Sequence, residues 1–370
     1  MISARMLRLL PMDSRFFGPP RHETSCARYP RKELVLTTRV HPAEHLPAAA
    51  PIWFGPPLPE YIPPESACEI RHALEVFELA SARVLGPDAH PVAPGDHLLT
   101  DSAWRQSFLP PNFSNRSIMR RRRPYPKVRL RGRVALIGSC WSGGSFAHFA
   151  ADALPRWKLL LEAGHRAEEF DHMLIYHPRT SSSRVLIKAL DLGPKVVDAD
   201  LRKDYVCDEL VFTSHPHLTP RYTPELVRFV QNLLSPRNPV RRIYLSRKGY
   251  SRHPANSDDL ERLLAARGFE IIDGADHLGA LHACREAAVV VGVEGSNLFN
   301  TLLCPAGTKI VILLWPECPF SYIASLGAAL DHPSAIIAPS SGATSQEAAF
   351  PLEHVAGALD WALRPSPDET

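Results

Sequence analysis

Three stretches of the chain gather side chains able to move a proton or hold an anion. The first is Phe146–Ala–His148–Phe–Ala–Ala–Asp152–Ala–Leu–Pro155–Arg156. On a helix His148, Asp152 and Arg156 stand four residues apart and share one face. A carboxylate beside an imidazole can serve as a general base toward a hydroxyl. The same spacing also describes an ordinary salt-bridged surface face. Pro155 removes a backbone donor inside the helix and is expected to kink it.

The second stretch is Tyr244–Leu–Ser246–Arg247, continuing through Lys248 and Arg252 to Asn256 and Ser257. A strand ends at Ser246, and a helix opens at Asn256 or Ser257, both good N-caps. Guanidinium groups at a strand's carboxyl end can clamp phosphate bidentately, although loops commonly carry arginines. The third is Val289–Val293 followed by Glu294–Gly295–Ser296–Asn297 and a short helix from Leu298 that includes Asn300. An unbroken β-branched run reads as a strand buried on both faces. Gly295 lets the backbone approach a ligand, Ser296 or Asn297 caps the helix, and their N–H groups suit a diphosphate. Glu294 can accept from a ribose or sugar hydroxyl, or is an incidental acid beside a turn glycine.

The elements that must position these residues follow from periodicity. The segment from Ala73 to Leu109 reads as a small antiparallel meander. Strands are predicted at Val134–Ile137, His172–Tyr176, Lys195–Val197 and Glu209–Phe212, with helices at Phe146–Ala163, Ser182–Leu190 and Pro224–Leu234. After the linker Ser235–Pro239 the alternation resumes. Strands are expected at Arg242–Leu245, Phe269–Ile272, Val289–Val293 and Lys309–Leu313, helices at Ser257–Ala266, Leu278–Glu286 and Leu298–Leu303, and a closing helix at Ser345–Leu363. The fold class is therefore α/β, with two Rossmann-like domains facing across a cleft and an N-terminal short-strand β region. The expected division is a proline-rich leader and meander (1–125), an acceptor domain (126–238), a donor-binding domain (239–335) and a terminal helix (336–370).

Composition narrows the function. At 370 residues the chain can hold two cored domains. A net charge of +3 does not by itself argue for nucleic acid. The basic segment Arg120–Arg133 reads as a solvated linker or edge, a contact for an anionic membrane or polymer, or a nucleic-acid patch. With Tyr125 its single aromatic residue, interleaving is nearly absent, which counts against single strands, and no nucleic acid is expected. Seven scattered cysteines with no CxxC pair read as core thiols of a reducing compartment. No apolar run is long enough to span a bilayer. A cytoplasmic protein is expected, with peripheral contact to the inner membrane as a variant of that reading. The Gly138–Gly144 stretch lacks the GxGxxG spacing of a dinucleotide enzyme.

The ordered set His–x3–acid–x2–Pro–Arg, Tyr–Leu–Ser–Arg…Arg…Asn, Gly–Phe–Glu–Ile–Ile and Val–Val–Gly–x–x–Gly–Ser–x–Leu–x–Asn resembles glycosyltransferase family 61, over roughly residues 75–315. The resemblance implies a GT-B fold and inverting transfer from a nucleotide sugar to a glycan acceptor, lipid-linked in some settings, in surface or capsular polysaccharide synthesis. It implies Asp152 as the base, oriented by His148 with Arg156 in support. It implies Arg247, Arg252, Asn256, Gly295, Ser296 and Asn300 around the donor, and the turn itself adds Glu294 and Asn297. Members often carry Glu where Asp152 stands, and many eukaryotic ones His where Glu294 stands. No cofactor and no metal are expected: Asp198–Ala–Asp200 after the strand Lys195–Val197 reads as a loop and Asp258–Asp259 as a helix start rather than as a metal-binding pair, and arginines can supply the positive charge. A non-catalytic nucleotide- or glycan-binding protein of the same fold is the alternative.

Overall fold

Apolar strands that alternate with amphipathic helices bury their sheets on both faces, and the computed structural model is built on two such sheets. It describes residues 20, 22–29, 34–46, 48–61, 70–86, 88–103, 125–218, 220–318, 320–340 and 347–365. The described residues divide into two compact units, one from 1–45 and 70–219, the other from 46–69 and 220–370.

The first unit holds a nine-stranded sheet. Its N-terminal strands are β1 (His22–Thr24) and β2 (Leu34–His41), with the short pair β3 (Glu44–His45) and β5 (Ile70–Arg71) forming a separate ribbon. The meander follows as β6 (Leu74–Leu85), β7 (His90–Ala93) and β8 (His97–Leu99). The α/β part comprises β9 (Lys127–Ile137), β10 (His172–Ile175), β11 (Val196–Asp198) and β12 (Asp204–Thr213). In space the order is β1-β8-β7-β6-β12-β9-β10-β11, with β2 beside β6. Strands β12, β9, β10 and β11 are parallel, while β6 runs antiparallel to β12. Strand β9 thus has β10 on one side and β12 on the other, so the chain reverses its direction of winding between β9 and β12. Crevices at the carboxyl ends of such neighbours are where open α/β sheets bind ligands. The core under this sheet includes Phe77, Leu79, Leu136, Leu174, Tyr176, Leu210 and Phe212.

Helix α1 follows β9 in three consecutive pieces: an α-helical turn Phe146–His148, a π-helical segment Phe149–Ala153 and an α-helix Leu154–Glu162. Helix α2 (Ser181–Ala189) connects β10 to β11, its start capped by the Thr180 hydroxyl.

The second unit is a six-stranded, wholly parallel sheet in the order β14-β13-β15-β16-β17-β4. It is made of β13 (Arg241–Leu245), β14 (Glu270–Ile272), β15 (Ala287–Val293), β16 (Lys309–Leu313), β17 (Ser334–Ile337) and, at the far edge, β4 (Ile52–Phe54). Its helices are α3 (Pro224–Asn232), α4 (Ser257–Ala266), α5 (His277–Cys284), α6 (Tyr322–Leu330) and α7 (Leu352–Ala362), with a 3-10 helix at Leu298–Leu303. The apolar residues Ile243, Val290, Val291, Ile310, Ile312 and Ile336 are fully buried, as a two-sided parallel sheet requires. Here the reversal of winding falls between β13 and β15.

Most predicted α/β elements lie within a residue or two of the observed ones. The sequence reading missed α6, β17 and β4. Helix α7 starts at Leu352 rather than Ser345, and residues 345–346 lie outside the described residues. Among the described residues no helix is long and apolar enough to cross a membrane.

Candidate active site

Each sheet brings chemistry-bearing residues to its winding reversal. In the second unit, the loop after β13 carries Arg247 and Arg252 and the turn after β15 carries Glu294–Asn297. A Cβ added at Gly295 would lie 3.0 Å from Nη1 of Arg247 and 3.3 Å from Nη1 of Arg252. Both guanidinium groups therefore converge over a residue that has to be glycine, which also sits at φ +149°. Arg252 donates from Nη1 to the Glu294 carbonyl oxygen at 3.1 Å, and Arg247 donates from Nε to the Ser251 carbonyl at 2.9 Å. Neither is paired with a carboxylate among the described residues. Burial, then the neighbouring charge of Arg252, lowers the pKa of Arg247. Two adjoining cations held this way are short of a counter-ion. Arg252 also sits at φ +60°, a left-handed conformation that costs energy for a non-glycine residue.

The other predicted donor residues are placed as follows. Asn297 precedes the 3-10 helix without a side-chain cap, and its carbonyl accepts from Nδ2 of Asn300 at 2.8 Å. Nδ2 of Asn297 and Oδ1 of Asn300 are buried without a protein partner. Ser296 is half-buried in the turn. Two side chains are engaged by other segments. Asn256 makes no side-chain cap; it donates to the Phe350 carbonyl at 2.8 Å and accepts from the Phe350 N–H at 3.1 Å, pinning the segment before α7. The Glu294 carboxyl lies inward, accepting from the Ser321 hydroxyl at 2.6 Å and from the Ile323 N–H at 3.4 Å, at the start of α6. Burial pushes its pKa up to about 7, against the lowering effect of these bonds. A hydroxyl-accepting role at the turn, expected from sequence, does not match a carboxyl spent on a helix start.

In the first unit, β9 ends at Ile137 and β12 at Thr213, side by side. His148 and Asp152 come from α1 after β9; His215 and His217 come from the segment after β12. Nδ1 of His148 and Oδ2 of Asp152 are 2.7 Å apart. The carboxylate is buried, with 4% of its side chain exposed, whereas His148 keeps 23%. Burial raises the Asp152 pKa, but the bond to His148 and the charges of His148, His215 and His217 outweigh it, and the carboxyl is held below its ordinary value. Asp152 is thus an anion that accepts, and His148 Nδ1 carries the proton it accepts.

Pro155 explains the π-helical segment. Lacking an N–H, it leaves the Ala151 carbonyl without its usual α-helical donor. His217 replaces that donor from outside the helix, Nε2 to the Ala151 oxygen at 2.6 Å. At this position the helix changes pitch. Arg156 is fully buried and acts as a clamp: Nε donates to the Asp152 carbonyl at 3.2 Å, Nη1 to Ser102 Oγ and the Thr213 carbonyl at 2.7 and 3.0 Å, and Nη2 to the Ser102 carbonyl at 2.8 Å. Burial lowers its pKa to about 10. It bonds the backbone of Asp152, not the carboxylate. His215 and His217 were not singled out from sequence, although His–Pro–His directly after an apolar strand is the signal that could have found them. Nε2 of His215 is buried and unpartnered.

Residues 146–311 match the family model Glycosyltransferase 61. The match begins with the first residue of α1 and ends in β16, so it takes in both the His148–Asp152 pair and the Arg247–Arg252–Gly295 cluster. It supports a glycosyltransferase, and with it a sugar donor and a glycan acceptor. No curated protein matches the chain.

Two further observations concern the basic segment and the titratable side chains. Of the basic segment, Arg120 to Arg123 lie outside the described residues. Arg129 and Arg133 sit in β9 and are ion-paired, Arg129 with Asp208 at 2.8 Å and Arg133 with Glu78 and Glu209. Among the described residues no three His, Cys, Asp or Glu side chains gather as a metal site. A cavity of about 360 Å³ opens beyond the ends of β10 and β11, lined by Gly143, His177, Arg179, Asp200 and Arg202.

Proposed function

We propose an inverting glycosyltransferase of GT-B type that moves a sugar from a nucleotide-sugar donor to a hydroxyl of a glycan acceptor. The observation that carries the reading is the convergence over Gly295 of two arginines that have no carboxylate partner among the described residues, where the winding of a parallel sheet reverses. That is the arrangement a diphosphate needs: a close backbone approach, two forked donors and no competing carboxylate. The unpartnered amide atoms of Asn297 and Asn300 favour a ligand rich in hydroxyls.

The acceptor is activated by His148. Asp152 holds the ring with Nδ1 protonated, which leaves the lone pair on Nε2, the logic by which a buried carboxylate sets a histidine base. The acceptor hydroxyl gives its proton to Nε2 while its oxygen attacks the anomeric carbon. The bond from that carbon to the diphosphate breaks, and Arg247 and Arg252 offset the charge on the departing group, with no metal needed. One base and one displacement give inversion. The exposure of His148 against the burial of Asp152 supports this division of roles over one in which Asp152 takes the proton itself. The resemblance to bacterial capsule-type members supports a surface-polysaccharide acceptor. The described cysteines, all free and buried, support a cytoplasmic setting.

A panel of nucleotide sugars tests the reading, first by thermal stabilisation and then by transfer to candidate acceptors. A nucleotide sugar that stabilises the protein and is turned over with inverted anomeric configuration is the expected result. Retained configuration, or no stabilisation by any nucleotide sugar, contradicts it.

A further inference from the structure

We propose that Trp141 is the platform on which the sugar ring of the acceptor lies, an inference that rests on the glycosyltransferase reading and adds a binding residue to it. Trp141 stands in the loop between β9 and α1, and the residue is 43% exposed. Of the residues Ser139–Ser142 it alone is exposed. Its neighbours are fixed: Ser142 Oγ accepts from the Ser139 N–H at 3.0 Å and donates to the Ser139 carbonyl at 2.8 Å, and Cys140 Sγ bonds Asp88 Oδ1 at 3.3 Å. The N–H groups of Gly144 and Ser145 both donate to the Trp141 carbonyl at 3.0 Å.

This frame holds Trp141 at φ +62°, a left-handed conformation that is an outlier for a bulky residue. The loop thus accepts strain at a position where it also leaves a large apolar surface in water. Neither helps folding, and such combinations persist where a ligand uses them. The ring centroid of Trp141 is 5.2 Å from that of His148. A ligand lying on the indole therefore lies beside the imidazole assigned as the base. A pyranose presents one face of C–H groups bearing partial positive charge, which complements the negative face of an indole, and hydroxyls around its rim. A hexopyranose stacked on Trp141 would offer a rim hydroxyl to His148.

The test uses the full chain and methyl glycosides of glucose, galactose, mannose and N-acetylglucosamine as probes. At least one is expected to perturb tryptophan fluorescence, and Trp141→Gly is expected to remove that signal and weaken binding of the same glycoside at least tenfold by calorimetry. Trp141→Phe is expected to keep part of that binding by calorimetry, without the fluorescence change. Because glycine adopts φ +62° without strain, Trp141→Gly is expected to melt at or above the wild-type temperature. The proposal is overturned if no glycoside gives the signal, if the signal survives in Trp141→Gly, or if that variant melts well below wild type, which marks a packing role. Nucleoside diphosphate binding on the same preparations separates the two ideas. If it persists while the sugar signal fails, only the platform falls; if it is absent while the sugar signal appears, the transferase reading falls.

Discussion

The two units place their chemistry at equivalent points of their sheets and hold it by different means. In the second unit the site is largely backbone: a wholly parallel sheet, a glycine turn and a loop from which two arginines reach inward. In the first unit it is side chain on side chain: a histidine on a helix, a buried carboxylate behind it, and a helix whose pitch is altered by Pro155 and repaired by His217. A parallel sheet fixes where strand ends and helix starts meet, so an anion site needs little beyond cations. A proton-transfer site needs one ring in one tautomer, which calls for a second layer of partners. Each unit also exposes an aromatic ring in the loop after its first strand at the reversal, Trp141 in one and Tyr250 in the other.

The largest effect that would break this division is on transfer. His148→Ala is expected to lower the transfer rate by ~10²–10⁴-fold, the usual share of a general base, with nucleotide binding unchanged. Steady-state kinetics with calorimetry checks this, and a drop of less than tenfold removes His148 as the base. Arg156→Met tests whether that arginine is a clamp: it removes the buried donors to the carbonyls of Ser102, Thr213 and Asp152 and should cost about 3 kcal/mol or more, read by denaturant unfolding. A variant that folds normally and loses only activity would instead place Arg156 at the substrate.

Glu294 gives a pH signature. Its carboxyl is raised in the folded state, so folding binds a proton between the ordinary glutamate value of 4.5 and about 7. Stability should therefore fall as pH rises through that window, by on the order of 3 kcal/mol, and level off above it. Glu294→Gln should flatten this slope and melt higher than wild type at pH 8; an unchanged slope would show that Glu294 is not its source. The smallest effect is at the turn. Gly295→Ala should weaken nucleoside diphosphate binding by about tenfold through the crowded guanidinium groups, roughly 1.4 kcal/mol, with the fold retained by circular dichroism.

Much of this was legible in the sequence because periodicity and turn chemistry act locally. The Val289–Val293 run, the Gly295 turn and the spacing of His148, Asp152 and Arg156 each announce their element. What was not legible depends on distant partners. Nothing near Asn256 indicates that its amide pairs with Phe350, and nothing near Glu294 indicates that Ser321 draws its carboxyl inward. Strand β4 joins the second sheet from more than 180 residues away in sequence, so no local pattern marks it. The relation between His217 and Pro155 was hidden for the same reason: the proline announces a missing donor, but not the residue that supplies one. Equal spacing made Asp152 and Arg156 look alike, and only burial and hydrogen bonding separate the anion behind His148 from a clamp on the backbone.

The most direct measurement compares nucleoside diphosphate binding by calorimetry in wild type, Arg247→Ala and Asp152→Asn. Arg247→Ala should weaken binding by roughly 10- to 100-fold, the worth of a charge-assisted contact. Asp152→Asn should leave binding within about twofold while transfer is lost. Equal weakening in both variants, or none in Arg247→Ala, would contradict the assignment of the anion to one unit and the proton to the other.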